Sequence, residues 1–437
     1  IFGSGGLFSN VGGSSPQHDP DGPHSNDPHD EGQNGGYGMG ASTRFGVAFR
    51  PIEPSITRLH SEGTQGTTGV SEPVSNDDNE VLAHRLDQPM DLHHHPTTSL
   101  LFMVGQGTDN VLVFNSAMSD PMASPVGEIS VGHGPKAITF SQDGLTAYVL
   151  NGHAFTVGRI DVSSLVALAS PDIEGCDDEL YQLTGTATLG MTKIGLFGVD
   201  NSPETVKRGR RIFHNARNSH LNGNDEFACA TCHLEGTEDK QVWLVPGGQR
   251  QTPSLAGRLA DTAPFNWNGS EQGLKDNMSE TIERMGGLGL TSQELADLEQ
   301  FLLHGLTPPR NPHLAGDGLS EVQAFGKTIF ERADVGCATC HAGEATTDGL
   351  GHDVGTESVV EEQLRILTAD LFGESLAEPV RLNTPSLRGL FYTAPYLHDG
   401  SAATLHDVLT QTATTMGRTD HLSDEERDAL VAYLLTL

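Results

Sequence analysis

The spacing of apolar and polar positions changes character twice along this 437-residue chain. Residues 1–80 follow no period. They are rich in Gly, Ser, Asp, Asn and His, with few apolar side chains to offset the entropy of ordering, so they read as a largely irregular acidic segment. Residues 81–170 carry short β-rich runs parted by turn signals such as Asp143-Gly144, and these predict strands. The runs repeat at an offset of 46. Leu101-Phe102-Met103-Val104-Gly105 matches Ala147-Tyr148-Val149-Leu150-Asn151, and Asn110-Val111-Leu112-Val113-Phe114-Asn115 matches Thr156-Val157-Gly158-Arg159-Ile160-Asp161. Such a period predicts two four-stranded blades. His93, His94 and His95 fall in the first and are expected at its surface or edge. Residues 171–201 read as a linker.

From Ser202 onward the period is helical. Ser202 can cap a helix with Pro203 at its first position, and that helix carries Gly209, Ile212 and Phe213. A second copy starts near Ser320 and carries Gly326, Ile329 and Phe330. Two closing helices are predicted, Ser292 to His304 and Ser423 to Leu437, the latter with a Ser423/Glu426 capping box. The chain therefore divides into modules at 202–310 and 311–437. A Gly-bearing first helix crossing a last helix at Phe301 or Tyr433 resembles the cytochrome c fold.

Composition narrows the partners. Asp and Glu total 58 against 25 Lys and Arg, a net charge of -33. Nucleic acid is excluded as a natural partner, because phosphate binding needs basic surface. A basic protein steered by the field fits, and so does a plain solvated acidic surface. No apolar run approaches the roughly 20 residues of a membrane span. Ile1-Phe2-Gly3-Ser4 lacks the features of a signal peptide, so the chain reads as mature or truncated. His18, Asp19, Asp21, His24, Asp27, His29 and Asp30 form a tract that reads as a solvated linker or a divalent-cation site.

Four of the five cysteines lie in two identical pentads, Cys229-Ala230-Thr231-Cys232-His233 and Cys337-Ala338-Thr339-Cys340-His341. Cys-x-x-Cys-His attaches haem c through two thioethers and offers the His as the proximal iron ligand. A four-Cys zinc site would not require a His after each pair. Two covalently attached haems c and a periplasmic or extracellular location follow. Cys176 is left over. The sixth iron ligand must come from elsewhere, and a thioether suits electron transfer by raising the potential. Met285-Gly286 and Met416-Gly417 hold matching places before the two closing helices, so Met285 and Met416 are the candidates, against a plain packing role.

The modules are duplicates. Thr252-Pro253-Ser254-Leu255 recurs as Thr384-Pro385-Ser386-Leu387, Thr262-Ala263-Pro264-Phe265 as Thr393-Ala394-Pro395-Tyr396, and Asn268-Gly269 as Asp399-Gly400. These runs, with Arg388-Gly389 and Leu397-His398, resemble the di-haem cytochrome c peroxidase superfamily across residues 204–437. The stretch Gly134 to Asn151 resembles a blade of the YVTN-type β-propellers, although two clear blades cannot close a propeller. The expected fold is multidomain: partial all-β propeller blades, then two α-helical cytochrome c-like haem modules.

The resemblance implies that the second haem is the high-potential one, with Met416 as its ligand. It implies that Trp267, in Phe265-Asn266-Trp267-Asn268-Gly269, lies between the haems and carries electrons; the alternative is a core residue of the first module. It also allows a Ca²⁺ between the modules, for which the sequence offers no clear ligand loop. The first haem departs from the pattern. No His lies between Leu234 and Gly257, and the family's catalytic Glu is displaced by one, as Glu283. Three functions are therefore expected to compete. One is an electron relay exchanging with a redox partner, such as a basic small cytochrome or cupredoxin or a larger redox complex. The second is a peroxidase or substrate oxidase with the first haem catalytic and Glu283 as its acid–base group. The third is a docking subunit of a redox complex.

Overall fold

The computed structural model describes residues 57–60, 70–73, 86–116, 126–169, 191–196, 198–223, 227–245, 248–314, 316, 318–372 and 380–437. The His/Asp tract and Cys176 lie outside them. The first elements, β1 (Thr57–His60) and β2 (Val70–Pro73), pair antiparallel, so the segment expected to be irregular contains a hairpin.

Two four-stranded antiparallel meanders follow. The first runs β3 (Pro89–His94), β4 (Leu100–Gly105), β5 (Asn110–Asn115), β6 (Gly127–Ser130). The second runs β7 (Pro135–Phe140), β8 (Thr146–Asn151), β9 (Thr156–Asp161), β10 (Met191–Leu196), with α1 (Ser163–Leu168) after β9. The 46-residue repeat is carried into backbone detail. The register shifts between Pro89 and Asp91 in one sheet and between Pro135 and Ala137 in the other. Asp109 and Phe155, at matching places, both take positive φ, 52° and 53°. β10 falls inside the expected linker and pairs with β9, so the linker is shorter than its composition suggested. The repeat hides this strand, because β6 and β10 do not share the offset of the other three pairs.

Both sheets and α1 share one core, built from Phe102, Val104, Val113, Ile129, Ile138, Val149, Ile160 and Leu165, all buried. His95 corrects the expectation of a surface position. It is fully buried, with Nε2 2.7 Å from the Gly144 carbonyl and the ring against Phe140, and so straps one sheet to the turn of the other. The region is all-β; no closed ring of blades forms among the described residues.

The helical half consists of two similar modules. The first contains α2 (Glu204–His214), α3 (Cys229–Cys232), the hairpin β11 (Val242–Val245) and β12 (Gly248–Gln251), α4 (Leu274–Arg284) and α5 (Ser292–His304). The second contains α6 (Glu321–Phe330), β13 (Gly351–His352), α7 (Val359–Phe372), β14 (Leu382–Asn383), α8 (Leu405–Gln411) and α9 (Asp424–Leu434). Helices α2 and α5 cross where Gly209 lies against the Asp297 carbonyl and Phe301; α6 and α9 cross where Gly326 lies against the Ala429 carbonyl and Tyr433. A methyl group at either glycine would enter the facing backbone, so glycine is required for the approach. Capping boxes at Ser320/Gln323 and Ser423/Glu426 start α6 and α9. In α2 the N-cap is Pro203, one residue later than expected, because Ser202 turns back to Asp200.

Candidate functional site

Both pentads follow the first helix of their module and leave the proximal imidazoles in similar surroundings. His341 Nδ1 lies 3.1 Å from the Thr346 carbonyl, and the Pro385 carbonyl also faces the ring. The carbonyls of Thr237 and Pro253 flank His233 in the same manner, without closing a hydrogen bond of good geometry to its buried Nδ1. The Thr-Pro-Ser-Leu runs therefore have a function in the fold: their prolines present carbonyls to the pentad histidines. An acceptor at Nδ1 leaves Nε2 as the metal-binding nitrogen. Burial lowers both imidazoles below the usual range and keeps them neutral, as iron ligation requires.

Burial pushes the Cys229 and Cys337 thiols up to about 11. Cys232 and Cys340 are raised by burial and then by the neighbouring carboxylates of Asp239 and Asp348. Neutral thiols are compatible with thioether attachment. Among the described residues the two cysteine pairs do not gather into one four-sulfur cluster. The group of His, Cys, Asp and Glu side chains close enough to share an ion is Cys340, Asp348 and His352, and Cys340 is committed to its pentad.

The polypeptide also leaves polar atoms for a prosthetic group to satisfy. Among the described residues His233 Nδ1, Glu238 Oε2, Arg284 Nε, Asn383 Oδ1 and His398 Nδ1 of the helical modules are buried without a hydrogen-bond partner, as is Gln106 Oε1 in the sheet region. Of these, Arg284 Nε is a donor of the kind a haem propionate would accept from.

Both Met-Gly turns dock against the segment leading into their pentad. The Met285 carbonyl accepts from Gly223 N at 3.2 Å, and Gly286 bridges Asn222. In the second module Arg418 N donates to the Val335 carbonyl at 2.8 Å, and a Cβ at Gly417 would lie 3.8 Å from Cys337 Sγ. Met285 and Met416 are both half-buried. Glu283 is exposed on the last turn of α4, whereas its neighbour Arg284 turns its Nε inward.

The modules meet in a pseudo-two-fold contact. Gln251 N donates to the His398 carbonyl at 2.6 Å, and Asn383 N donates to the Trp267 carbonyl at 2.8 Å. Gln251 and Asn383 each precede a Thr-Pro run, and Trp267 and His398 hold equivalent places, so each bond is the counterpart of the other. The Trp267 and His398 rings meet edge to face, centroids 6.4 Å apart, and Trp267 Nε1 donates to the Gln251 carbonyl at 2.9 Å.

His398 is buried, with Nε2 3.1 Å from Glu361, which also pairs with Arg250. Burial works to raise the Glu361 carboxyl, but bonds from the Ser358 backbone, His398 and Arg250 hold it at about 2. Sequence reasoning missed Glu361 and Arg250. The Ser358-Val359-Val360-Glu361 run did announce a helix start, and Glu361 N donates to Ser358 Oγ at 3.2 Å.

The sheet region docks on the first module. Thr231 Oγ1 donates to Asp87 Oδ2 at 2.9 Å, Ala216 N to the Gly107 carbonyl at 2.9 Å, and Lys136 Nζ to Glu235 at 2.9 Å. The His153 and His214 rings meet at a tilt of 56°, with centroids 4.2 Å apart.

With this geometry in place, comparison with known proteins is informative. A cytochrome c family profile matches residues 323–437. Hydrazine synthase subunit gamma of Kuenenia stuttgartiensis is 29% identical over 55% of this chain and 80% of its own length. Methylamine utilization protein MauG of Methylorubrum extorquens is 26% identical over 54% and 78%. Cytochrome-c peroxidase IdrP2 of Denitromonas iodatirespirans is 25% identical over 54% and 81%. The shared portion is about half of this chain, enough for both helical modules. In its pentads and its crossed Gly-bearing helices the helical half is similar to these relatives, which are members of the di-haem cytochrome c peroxidase superfamily and match about half of the chain.

Proposed function

We propose that the protein is an electron-transfer cytochrome that holds two haems c, one per pentad, and passes electrons between its modules through the Trp267–His398 contact. The observation that carries this reading is the reciprocal pair of backbone bonds at the module boundary, which fixes Trp267 and His398 against each other. The haems, when bound, supply one-electron chemistry. The chain supplies the rest: His233, His341, Met285 and Met416 would hold the irons, and a boundary of fixed hydrogen bonds would limit reorganisation. A periplasmic or extracellular site, where haem c is attached, accompanies this reading. The acidic charge suits a basic redox partner. The two sheets serve as a propeller-like docking surface for it. A Ca²⁺ between the modules is not assigned to any residue set.

The intact mass of the matured chain tests haem number. Two haem additions are expected, and the Cys337→Ala/Cys340→Ala variant should lose one. A single addition in the wild type would overturn the reading.

A peroxidase function is the second reading, supported by relatives named as peroxidases and by Glu283 beside the Met285 turn. Ferric EPR separates the two. The relay predicts low-spin signals only, and a dominant high-spin signal with hydrogen peroxide turnover would favour the peroxidase, with Glu283→Gln abolishing turnover while both haems remain.

A further inference from the structure

The two modules are matched in their pentads, their carbonyl-flanked histidines and the carboxylates beside their second cysteines, Asp239 and Asp348. One difference comes from outside the modules: a carboxylate supplied by the sheet region acts on the first pentad. Asp87 comes from the sheet side of the molecule, 144 positions away in sequence from the threonine it touches. Only 4% of it is exposed. Its Oδ2 accepts from Thr231 Oγ1 at 2.9 Å and from Gln88 Nε2 at 2.9 Å, and its carbonyl accepts from Gly107 N at 3.1 Å. A side chain at Gly107 would collide with the carboxylate, so the backbone is shaped around it. Its charge is felt at Cys232, one of the two sulfurs that attach the first haem. Among the described residues, the groups acting on Asp87 include no cation. Thr339, the same position in the second pentad, has no side-chain hydrogen bond among the described residues.

We propose that Asp87 is a redox-positioning residue that the sheet region supplies to the first haem alone, lowering its potential relative to the second. A buried carboxylate favours the more positive oxidised iron over the reduced one, and low local polarity strengthens the effect. Burial pushes the Asp87 carboxyl up to about 6, still below neutral, so the charge is present at pH 7.5. The sheets are thereby more than a docking surface, because they set an energy difference between two otherwise similar centres. The inference rests on a haem at the first pentad.

The test is an EPR-monitored potentiometric titration of the full haem-loaded chain at pH 7.5, with each midpoint assigned to its own signal. Asp87→Asn keeps the acceptor for Thr231 and removes the charge. The first haem should become easier to reduce by about tenfold in equilibrium constant, about 59 mV for a one-electron couple, with the second unchanged. Asp87→Glu should stay near the wild type. Should Asp87→Asn not mature, Thr231→Val breaks the same contact from the module side. Loss of the hydroxyl donor disfavours the charged carboxylate, so for this variant the titration is run at pH 6, beside the carboxyl's own midpoint, where the first haem's midpoint should rise. Unmoved midpoints, or equal movement of both, would overturn the inference. A wild-type chain without haem at the first pentad would overturn the reading beneath it instead, and haem mass shows that separately.

Discussion

Trp267 and His398 hold one position in two copies and do different work there. The indole donates to a carbonyl of its own module, while the imidazole reaches Glu361 on a helix that only the second module has. Identical places in a duplication thus diverge where the surroundings do. A second pair of residues gives a pH prediction. Burial lowers His214 to about 4, and burial together with the nearby His214, Lys136, Arg210 and His133 lowers His153 to about 2. A histidine held below its unfolded value takes up its proton first in the unfolded chain. Its contribution is present at neutral pH and is lost as pH falls through about 6.5 toward 4. For His214 the loss by pH 5 is about 2 kcal/mol. Asp87, raised to about 6, acts in the opposite direction, so the comparison must be made against a variant. Urea unfolding at pH 7 and pH 5 should show the wild type losing about 2 kcal/mol more than His214→Gln; equal losses would refute the assignment. The matching places of the pentads and the Met-Gly pairs in the two modules were legible because each is a short run local in sequence. Asp87 and Glu361 were not, since nothing in an isolated Asp or Glu announces a partner more than a hundred positions away.

At the scale of elements, two crossings organise the helical half. Gly209 and Gly326 allow α2 to meet α5 and α6 to meet α9 at backbone contact. Gly326→Ala would force α6 away from the Ala429 carbonyl, an overpacking change expected to cost about 3 kcal/mol or more. Thermal unfolding followed at the haem should show the second module weakening first, and a melting profile equal to the wild type would contradict the crossing. These helices were readable from their caps and spacing. The strands were readable as far as the 46-residue repeat held, and it held down to the bulges. It failed at β10, because sequence matching finds a strand only where the copy keeps its offset.

For the molecule as a whole, the described sheets form one body docked on the first haem module, and the second module joins through the pseudo-two-fold boundary. No helix among the described residues is long and apolar enough to cross a membrane. In the proposed relay, electrons passing between the modules would cross the boundary where Trp267 stands. Replacing it with Phe fills most of the volume and removes one hydrogen bond, a cost of about 1 kcal/mol that leaves the fold standing. The decisive measurement is the rate of electron exchange between the haems after rapid partial reduction, compared for the wild type and Trp267→Phe with both haems confirmed by mass. The account predicts that the variant keeps both haems and exchanges electrons more slowly. An unchanged rate would contradict it.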